Sequence, residues 1–302
     1  MKIKPECATC IVRQVVDAVK EISKDEEVQF KLISSTFSCI KEVYGPNAVP
    51  AWMGTKVHRY LKRISGNEDP YKYLKDRANK LAMRYLKSIE EEIRKYNDKP
   101  PLERLRYKVK LAIAGNVIDF GPYSTDVDID RKLKETLEGE LKIDYSRELL
   151  QDLRECDRIL YICDNAGEIL FDKILIEELK GYCEVVASVK GGPILNDATL
   201  EDAKYVGLDK VVRVITTGCD VIGVNLEESS REFLKEFKRA DIIVAKGMGN
   251  FESLTEYSID KPVYYIFKAK CSPIAQFIEV DVGDNILLRN YSTTTPVIDL
   301  LP

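Results

Sequence analysis

Residues 158–180 read RILYICDNAGEILFDKILIEELK. The first six form a short run of apolar, β-branched and aromatic residues, and ILFDKILIEELK has the texture of an amphipathic helix. Between them stand Asp164, Asn165, Ala166 and Gly167. A strand that passes through so short a turn into a helix is half of a βαβ unit. The same texture returns downstream. EVVASV (184–189), VVRVIT (211–216), DIIVAK (241–246) and VYYIFK (263–268) read as strands, with helix-like SREFLKEFKRA (230–240) among the segments between them. Strands alternating with helices of this length predict a parallel, doubly wound sheet. NILLRN (285–290) is predicted to add an edge strand.

The first hundred residues differ. Ile11, Val15, Val19 and Ile22 repeat at helical spacing, as do Leu81, Tyr85, Leu86, Ile89 and Ile93. Gly45-Pro46, Gly66-Asn67 and Pro100-Pro101 divide this half into several helices. The expected architecture is α/β. A helical region over residues 1–100 packs closely on a Rossmann-like, three-layer parallel-sheet domain over 101–302.

The chain has 302 residues, with 50 acidic side chains against 46 basic ones and a formal charge of -4. Lysines and arginines are spread rather than gathered in a stripe, so a nucleic-acid partner is not expected. No apolar run reaches membrane-spanning length, and the start lacks a signal-like apolar stretch, so a cytoplasmic protein is expected. His58 is the only histidine, so a serine triad or a zincin helix would have to be built on that one residue. A metal here would be held by oxygen, which suits Mg²⁺ or Mn²⁺.

In a parallel doubly wound sheet, the loops after the strands converge on one edge, where ligands bind. Those loops are Asp164-Asn165-Ala166-Gly167-Glu168, Lys190-Gly191-Gly192-Pro193 with Asn196-Asp197, Thr216-Thr217-Gly218-Cys219-Asp220, and Lys246-Gly247-Met248-Gly249-Asn250. Taken singly, each is equally an ordinary turn or helix cap; it is the convergence of four such loops that points to a site. Asp164 and Asp197 offer carboxylates and Asn165 a carboxamide, a set of three oxygen ligands that leaves positions for water and a substrate phosphate. Lys246 sits in a glycine-bounded turn suited to facing an anion. Gly167, Glu168, Lys190, Asp220 and Asn250 are candidate substrate-binding residues on the same loops. GNVIDFG (115–121) places Asn116 and Asp119 inside an apolar segment, either as a helix cap or as cleft residues. Cys7 and Cys10 match half a zinc site, with Cys39 and His58 as conceivable further ligands, or else core thiols.

ECATC (6–10), GNVIDFG, CDNAGE (163–168), KGGPILNDAT (190–199) and KGMGNFE (246–252), in that order, resemble the metal-dependent damage-control phosphatases, the family also known as domain of unknown function 89. The likeness is strongest to its small archaeal and bacterial branch and spans essentially the whole chain. It implies hydrolysis of phosphate esters of small metabolites, such as damaged or surplus sugars or cofactor intermediates, with Mg, Mn, Co or Ni as the divalent metal. It implies Asp164, Asn165 and Asp197 as metal ligands, Lys246 as a contact to the substrate phosphate, and Asn116 and Asp119 as lining of the same cleft. The attacking group is either a water or the Asp164 carboxylate. Larger eukaryotic relatives continue their motif with Asn-Tyr-Arg where this chain has Asn250-Phe251-Glu252, so their sugar-phosphate specificity does not carry over. The alternatives are a non-catalytic nucleotide- or coenzyme-binding module and a zinc-organised interaction protein built on Cys7 and Cys10.

Overall fold

The computed structural model describes residues 1–116 and 126–290, with the backbone alone at 126–130. Three helices open the chain: α1 (Cys7–Ile22), α2 (Glu26–Val43) and α3 (Pro50–Ser65). The Asp25 carboxylate caps α2 by accepting from the Val28 N–H, and α3 stops at Gly66 in the left-handed conformation, φ 69°. Their apolar stripes meet in a core of their own built on Ile11, Val15, Val19, Leu32, Met53, Val57 and Leu61. Next come α4 (Lys72–Ser88), α5 (Glu90–Asn97), α6 (Pro101–Gly115), α7 (Asp126–Glu138), β1 (Leu141–Asp144) and α8 (Ser146–Asp152). The alternating part follows with β2 (Arg158–Ile162), α9 (Glu168–Leu179), β3 (Glu184–Val189), α10 (Leu200–Tyr205) and β4 (Arg213–Thr216). It closes with α11 (Arg231–Arg239), β5 (Ile242–Lys246), α12 (Gly247–Leu254), β6 (Val263–Lys268), α13 (Ser272–Phe277) and β7 (Asn285–Arg289).

The strands form one sheet in the order β1-β7-β6-β5-β2-β3-β4. All neighbours are parallel except β6 and β7. The α/β class and the strand positions agree with the sequence reading, but the edge does not. β7 lies inside the sheet, because β1 pairs with its outer side. Leu141–Asp144 alternates apolar and charged residues over only four positions, too short a stretch to stand out from a loop.

Side-chain alternation along the strands builds the two outer layers. Ile159 and Tyr161 of β2, with Val244 of β5, point into one core with Leu81 of α4, Val109 and Ile113 of α6 and Phe171 and Leu175 of α9. Leu160, Ile162, Ile243 and Ala245 point into the other, with Phe233 and Phe237 of α11, Phe251 of α12 and Ile274 of α13. Because α4 shares the first of these cores, the change of core falls between α3 and α4, ahead of the division drawn at residue 100. The α1–α3 unit is nonetheless bound to the sheet. Trp52 Nε1 donates to the Val224 carbonyl at 3.1 Å, the Ile222 N–H to Thr55 Oγ1 at 2.9 Å, and Lys62 Nζ to the Pro193 carbonyl at 2.8 Å. Among the described residues no helix is long and apolar enough to cross a membrane.

Candidate active site

Register brings the chemistry together. β2 runs parallel between β3 and β5, with Ile162 opposite Ser188 and Ala245, so the turns that follow leave the sheet at one level. The loop after β3 folds back onto the loop after β2. Asn165 and Asp197 form an isolated antiparallel bridge, closed by the Ala166 N–H to the Asn196 carbonyl at 2.9 Å and the Ala198 N–H to the Asp164 carbonyl at 2.8 Å. That return stroke carries Asp197 to Asn165. Two glycines make room for it. Gly167 has φ +76° and packs so closely on the α4 backbone that a Cβ would lie 3.0 Å from the Ala78 carbonyl, and its N–H donates to Asn79 Oδ1 at 2.7 Å. Gly247 has φ +78°, and a Cβ there would sit 1.9 Å from Asp164 Oδ2; only glycine lets β5 turn into α12 against that carboxylate.

Within this frame the polar side chains form a closed network. Asp164 Oδ2 accepts from Asn165 Nδ2 at 2.8 Å and from Asn116 Nδ2 at 3.3 Å. Glu168 Oε2 accepts from the same two amides, at 2.9 and 2.5 Å, and Glu168 Oε1 accepts from Lys246 Nζ at 2.6 Å. Lys246 also donates to Asp172 Oδ1 at 2.5 Å and to the Ala112 carbonyl at 3.0 Å. Ala112 lies in the last turn of α6, where carbonyls lack intrahelical partners. Tyr161 completes the Asp172 side with a 2.8 Å bond from its hydroxyl. Just past the end of β3, Lys190 Nζ donates to the Gly223 carbonyl at 2.5 Å and faces Asp197 Oδ2 at 3.4 Å.

The charges do not balance. Among the described residues, the carboxylates of Asp164, Glu168, Asp172 and Asp197 contact only the ammonium groups of Lys190 and Lys246, a surplus of two negative charges within this group of six when all are ionised. Lys75 nearby is already neutralised by Asp69 at 2.7 Å. All of these except Asp164 are buried; Asp164 and Asn165 keep part of their surface at the mouth. The titration behaviour reflects the imbalance. Burial, then the charges of Glu168 and Asp197, push the Asp164 carboxyl well above its ordinary value, with Lys190 and Lys246 opposing. Burial raises Asp172 to about 7 against the pull of Lys246, and Asp197 to about 6 against that of Lys190. Lys246 goes the other way: burial disfavours its charged form, yet Asp172 and Glu168 hold it protonated above the usual lysine range. Asp172 Oδ2 and Asp197 Oδ2 are buried and accept no hydrogen bond.

Residues 3–286 match the sequence model of the damage-control phosphatase ARMT1-like domain. The chain belongs to that family. It is 63% identical over 96% of both chains to an uncharacterized protein of Methanocaldococcus jannaschii. It is 37% identical to a damage-control phosphatase of Pyrococcus horikoshii, over 96% of this chain and 99% of the relative. The crystal structure of a DUF89 family protein from Pyrococcus horikoshii superposes with a TM-score of 0.87 at 36% identity, covering 96% of this chain and all of that one.

For a damage-control phosphatase domain, the expected oxygen donors are adjacent: Asp164 and Asn165 touch, and the bridge sets Asp197 beside Asn165. Among the described residues no group of three or more His, Cys, Asp or Glu side chains is arranged to hold a metal ion; the expected set is two carboxylates and a carboxamide. Its fit to a divalent cation rests on the all-oxygen chemistry of the donors, the two surplus negative charges and the cradle at Gly247 beside Asp164 Oδ2.

The other candidate residues lie as follows. Lys246 does not face an open anion site: its side chain is 0% exposed and its three donors are committed to Glu168, Asp172 and Ala112. Asn250 is a structural tie, its amide donating to the carbonyls of Cys163 at 3.2 Å and Lys246 at 2.6 Å. Asp220 is held by Lys62 and Arg59, each at 2.7 Å. Lys190 is sealed between Gly223 and Asp197. Gly167 serves the backbone, and Glu168 touches the amides that hold Asp164. Asp119 lies outside the described residues. The thiols of Cys7 and Cys10 are free. Gln14 stands between Cys10 Sγ and His58 Nε2, 3.3 Å from each, so His58 does not join a cysteine cluster.

Sequence reading missed Asp172, Tyr161 and Asn79. Asp172 stands between apolar Phe171 and the apolar run ILI (174–176), with Lys173 beside it, and a carboxylate in so apolar a helix was its only signal. Asn79 comes from α4, far from the loops in sequence. Its Oδ1 holds the Gly167 N–H, while its Nδ2 donates to Asp202 Oδ1 at 2.8 Å.

Proposed function

We propose that the chain is a divalent-metal-dependent phosphatase that hydrolyses phosphate monoesters of small metabolites. The observation that carries this reading is the surplus of two carboxylates over lysines, among the described residues, around the half-buried Asp164 and Asn165 and the buried Asp197, in a domain of the damage-control phosphatase family. Four carboxylates gathered with two lysines are unfavourable until a dication joins them.

Asp164, Asn165 and Asp197 would hold the cation, with Mg²⁺ or Mn²⁺ favoured by hard oxygen donors and Co²⁺ or Ni²⁺ as further candidates. A bound dication supplies Lewis-acid polarisation of a phosphoryl oxygen and offsets the charge that develops there in the transition state. The rest is done by the chain. Asn116 and Asn165 both donate to Asp164 and Glu168, which fixes the Asp164 carboxylate in one orientation. Glu168 in turn is pinned by Lys246, and Lys246 by Asp172 and the end of α6. Such pinning keeps ligand geometry fixed through the reaction.

The test combines binding and turnover. Thermal melts with Mg²⁺, Mn²⁺, Co²⁺ and Ni²⁺ should show a rise in Tm for at least one of them, absent in Asp164→Asn and Asp197→Asn. A panel of phosphorylated metabolites with that cation should release phosphate from some members. No cation response in the wild-type protein, or hydrolysis unaltered by chelation, would contradict the reading.

A further inference from the structure

Asp197 reaches the site on a strained turn. Leu195 adopts a left-handed φ of 46°, a conformation unfavourable to any residue with a Cβ. The Asp197 N–H closes the turn on the Ile194 carbonyl at 3.1 Å. Such backbone persists where the surrounding structure over-determines it, and here two elements grip it. The loop after β4 takes the near end. Gly191 lies so close to Gly218 that a Cβ would sit 2.4 Å from its carbonyl carbon, and the Gly191 N–H donates to the Cys219 carbonyl at 2.9 Å. Helix α3 takes the middle. Pro193, Ile194 and Leu195 line a small cavity with His58, Leu61 and Lys62, and Lys62 Nζ donates to the Pro193 carbonyl at 2.8 Å. The same ammonium donates to Asp220 Oδ2 at 2.7 Å. One buried lysine thus joins α3, the turn that carries Asp197 and the loop after β4.

We infer that Lys62 is a positioning residue for Asp197: through the Pro193 carbonyl it ties the strained turn to α3, so the α1–α3 unit sets how tightly the site takes its cation. This rests on the metal-dependent reading above. An ammonium suits the task because it donates to a carbonyl and a carboxylate at once, and the charge-assisted bond to Asp220 fixes where it points. Groups one step removed from a metal govern its affinity by holding the ligands in place. Arg59 also holds Asp220, but its other partner is Glu228, so it braces the loop after β4. Replacing Lys62 therefore leaves Asp220 paired with Arg59.

The experiment follows amide hydrogen exchange over residues 190–198 in the metal-free protein, and Mn²⁺ affinity by calorimetry, for wild type, Lys62→Met, Lys62→Arg and Arg59→Gln. In Lys62→Met the Asp197 and Ala198 amides should exchange about tenfold faster, with the amides of α1–α3 unchanged. Mn²⁺ affinity should fall about tenfold to a hundredfold in the same variant. Lys62→Arg should recover most of both, and Arg59→Gln should match wild type in both. Exchange in Lys62→Met equal to wild type overturns the assignment, whether or not a metal binds. Faster exchange throughout α1–α3 overturns it as well, since Lys62 would then support the whole helical unit. So does an equal loss in Arg59→Gln, or undiminished Mn²⁺ affinity in Lys62→Met when the wild type binds the ion. Faster exchange at 197 and 198 in Lys62→Met, with wild-type protein that binds no Mn²⁺, supports Lys62 as what places Asp197 while removing the metal-dependent reading.

Discussion

Lys246 at the end of β5 and Asp172 in the second turn of α9 meet at 2.5 Å with neither side chain exposed to solvent. Glu168 shares the same ammonium at 2.6 Å, so one buried lysine holds two carboxylates. Removing it leaves both without their counter-charge. Lys246→Met should therefore lower stability by about 3–5 kcal/mol in urea denaturation, the usual cost of breaking a buried pair. Adding Asp172→Asn to Lys246→Met should recover part of that loss. Strict additivity of the two variants would mean that the pair is not coupled.

Asp164 carries the opposite energetic sign. Burial and neighbouring carboxylates raise its pKa, so without metal the folded protein holds a proton there that the unfolded chain releases near pH 4. The folded state then binds more protons than the unfolded one, and this group costs stability increasingly as pH rises above that point. Asp164→Asn removes the penalty. At pH 8 the metal-free variant should melt above the metal-free wild type, while losing both the rise in Tm on adding metal and the phosphatase activity. A variant less stable than wild type in the presence of chelator would argue against the surplus-charge picture.

Gly247 tests the cradle. Alanine there must hold φ near +78° and place a methyl within 1.9 Å of Asp164 Oδ2. The backbone strain alone is about 1–2 kcal/mol, and the carboxylate must move as well. Gly247→Ala should fold with reduced Tm and bind metal at least tenfold more weakly by calorimetric titration. Wild-type metal affinity in that variant would show that the carboxylate has room to spare.

His58 provides an internal pH probe because the chain has no other histidine. Burial, with a smaller contribution from Lys62, lowers its pKa to about 4. The Cε1–H and Cδ2–H resonances of the one imidazole in proton NMR should titrate near that value and not near 6.5. In the unfolded chain the ring gains its proton below pH 6.5, while in the fold it stays neutral down to about 4. Acid therefore favours unfolding across that window, by about 3 kcal/mol in all. His58→Asn should flatten the slope of stability against pH between 4 and 6.5, relative to wild type.

Much of the frame was legible because it depends on local pattern. Strands β2 to β7 are short runs dense in Val, Ile, Tyr and Phe, and the helices between them carry apolar faces at helical spacing; burying those faces leaves few arrangements other than a layered α/β sheet. β1 escaped because an alternation of only four residues, none of them buried, does not stand out from a loop. The position of β7 depended on that missing strand.

The candidate site divides the same way. Strand ends rich in Asp, Asn, Lys and Gly mark a shared edge, and a parallel sheet must gather them, so the loops were found from sequence. Which side chains touch was decided by the return stroke that bridges Asn165 to Asp197, and by helices that approach from elsewhere in the chain. Asn79 and Asn116 arrive from α4 and the end of α6, and Asp172 meets Lys246 only because α9 packs along α6, whose last turn also receives that ammonium. Local strand and helix periods determined which residue types would meet at one edge, and those periods are written in the sequence itself. Burial and charge pairing belong to the packed molecule: only the fold decided that Lys246 would be enclosed among carboxylates.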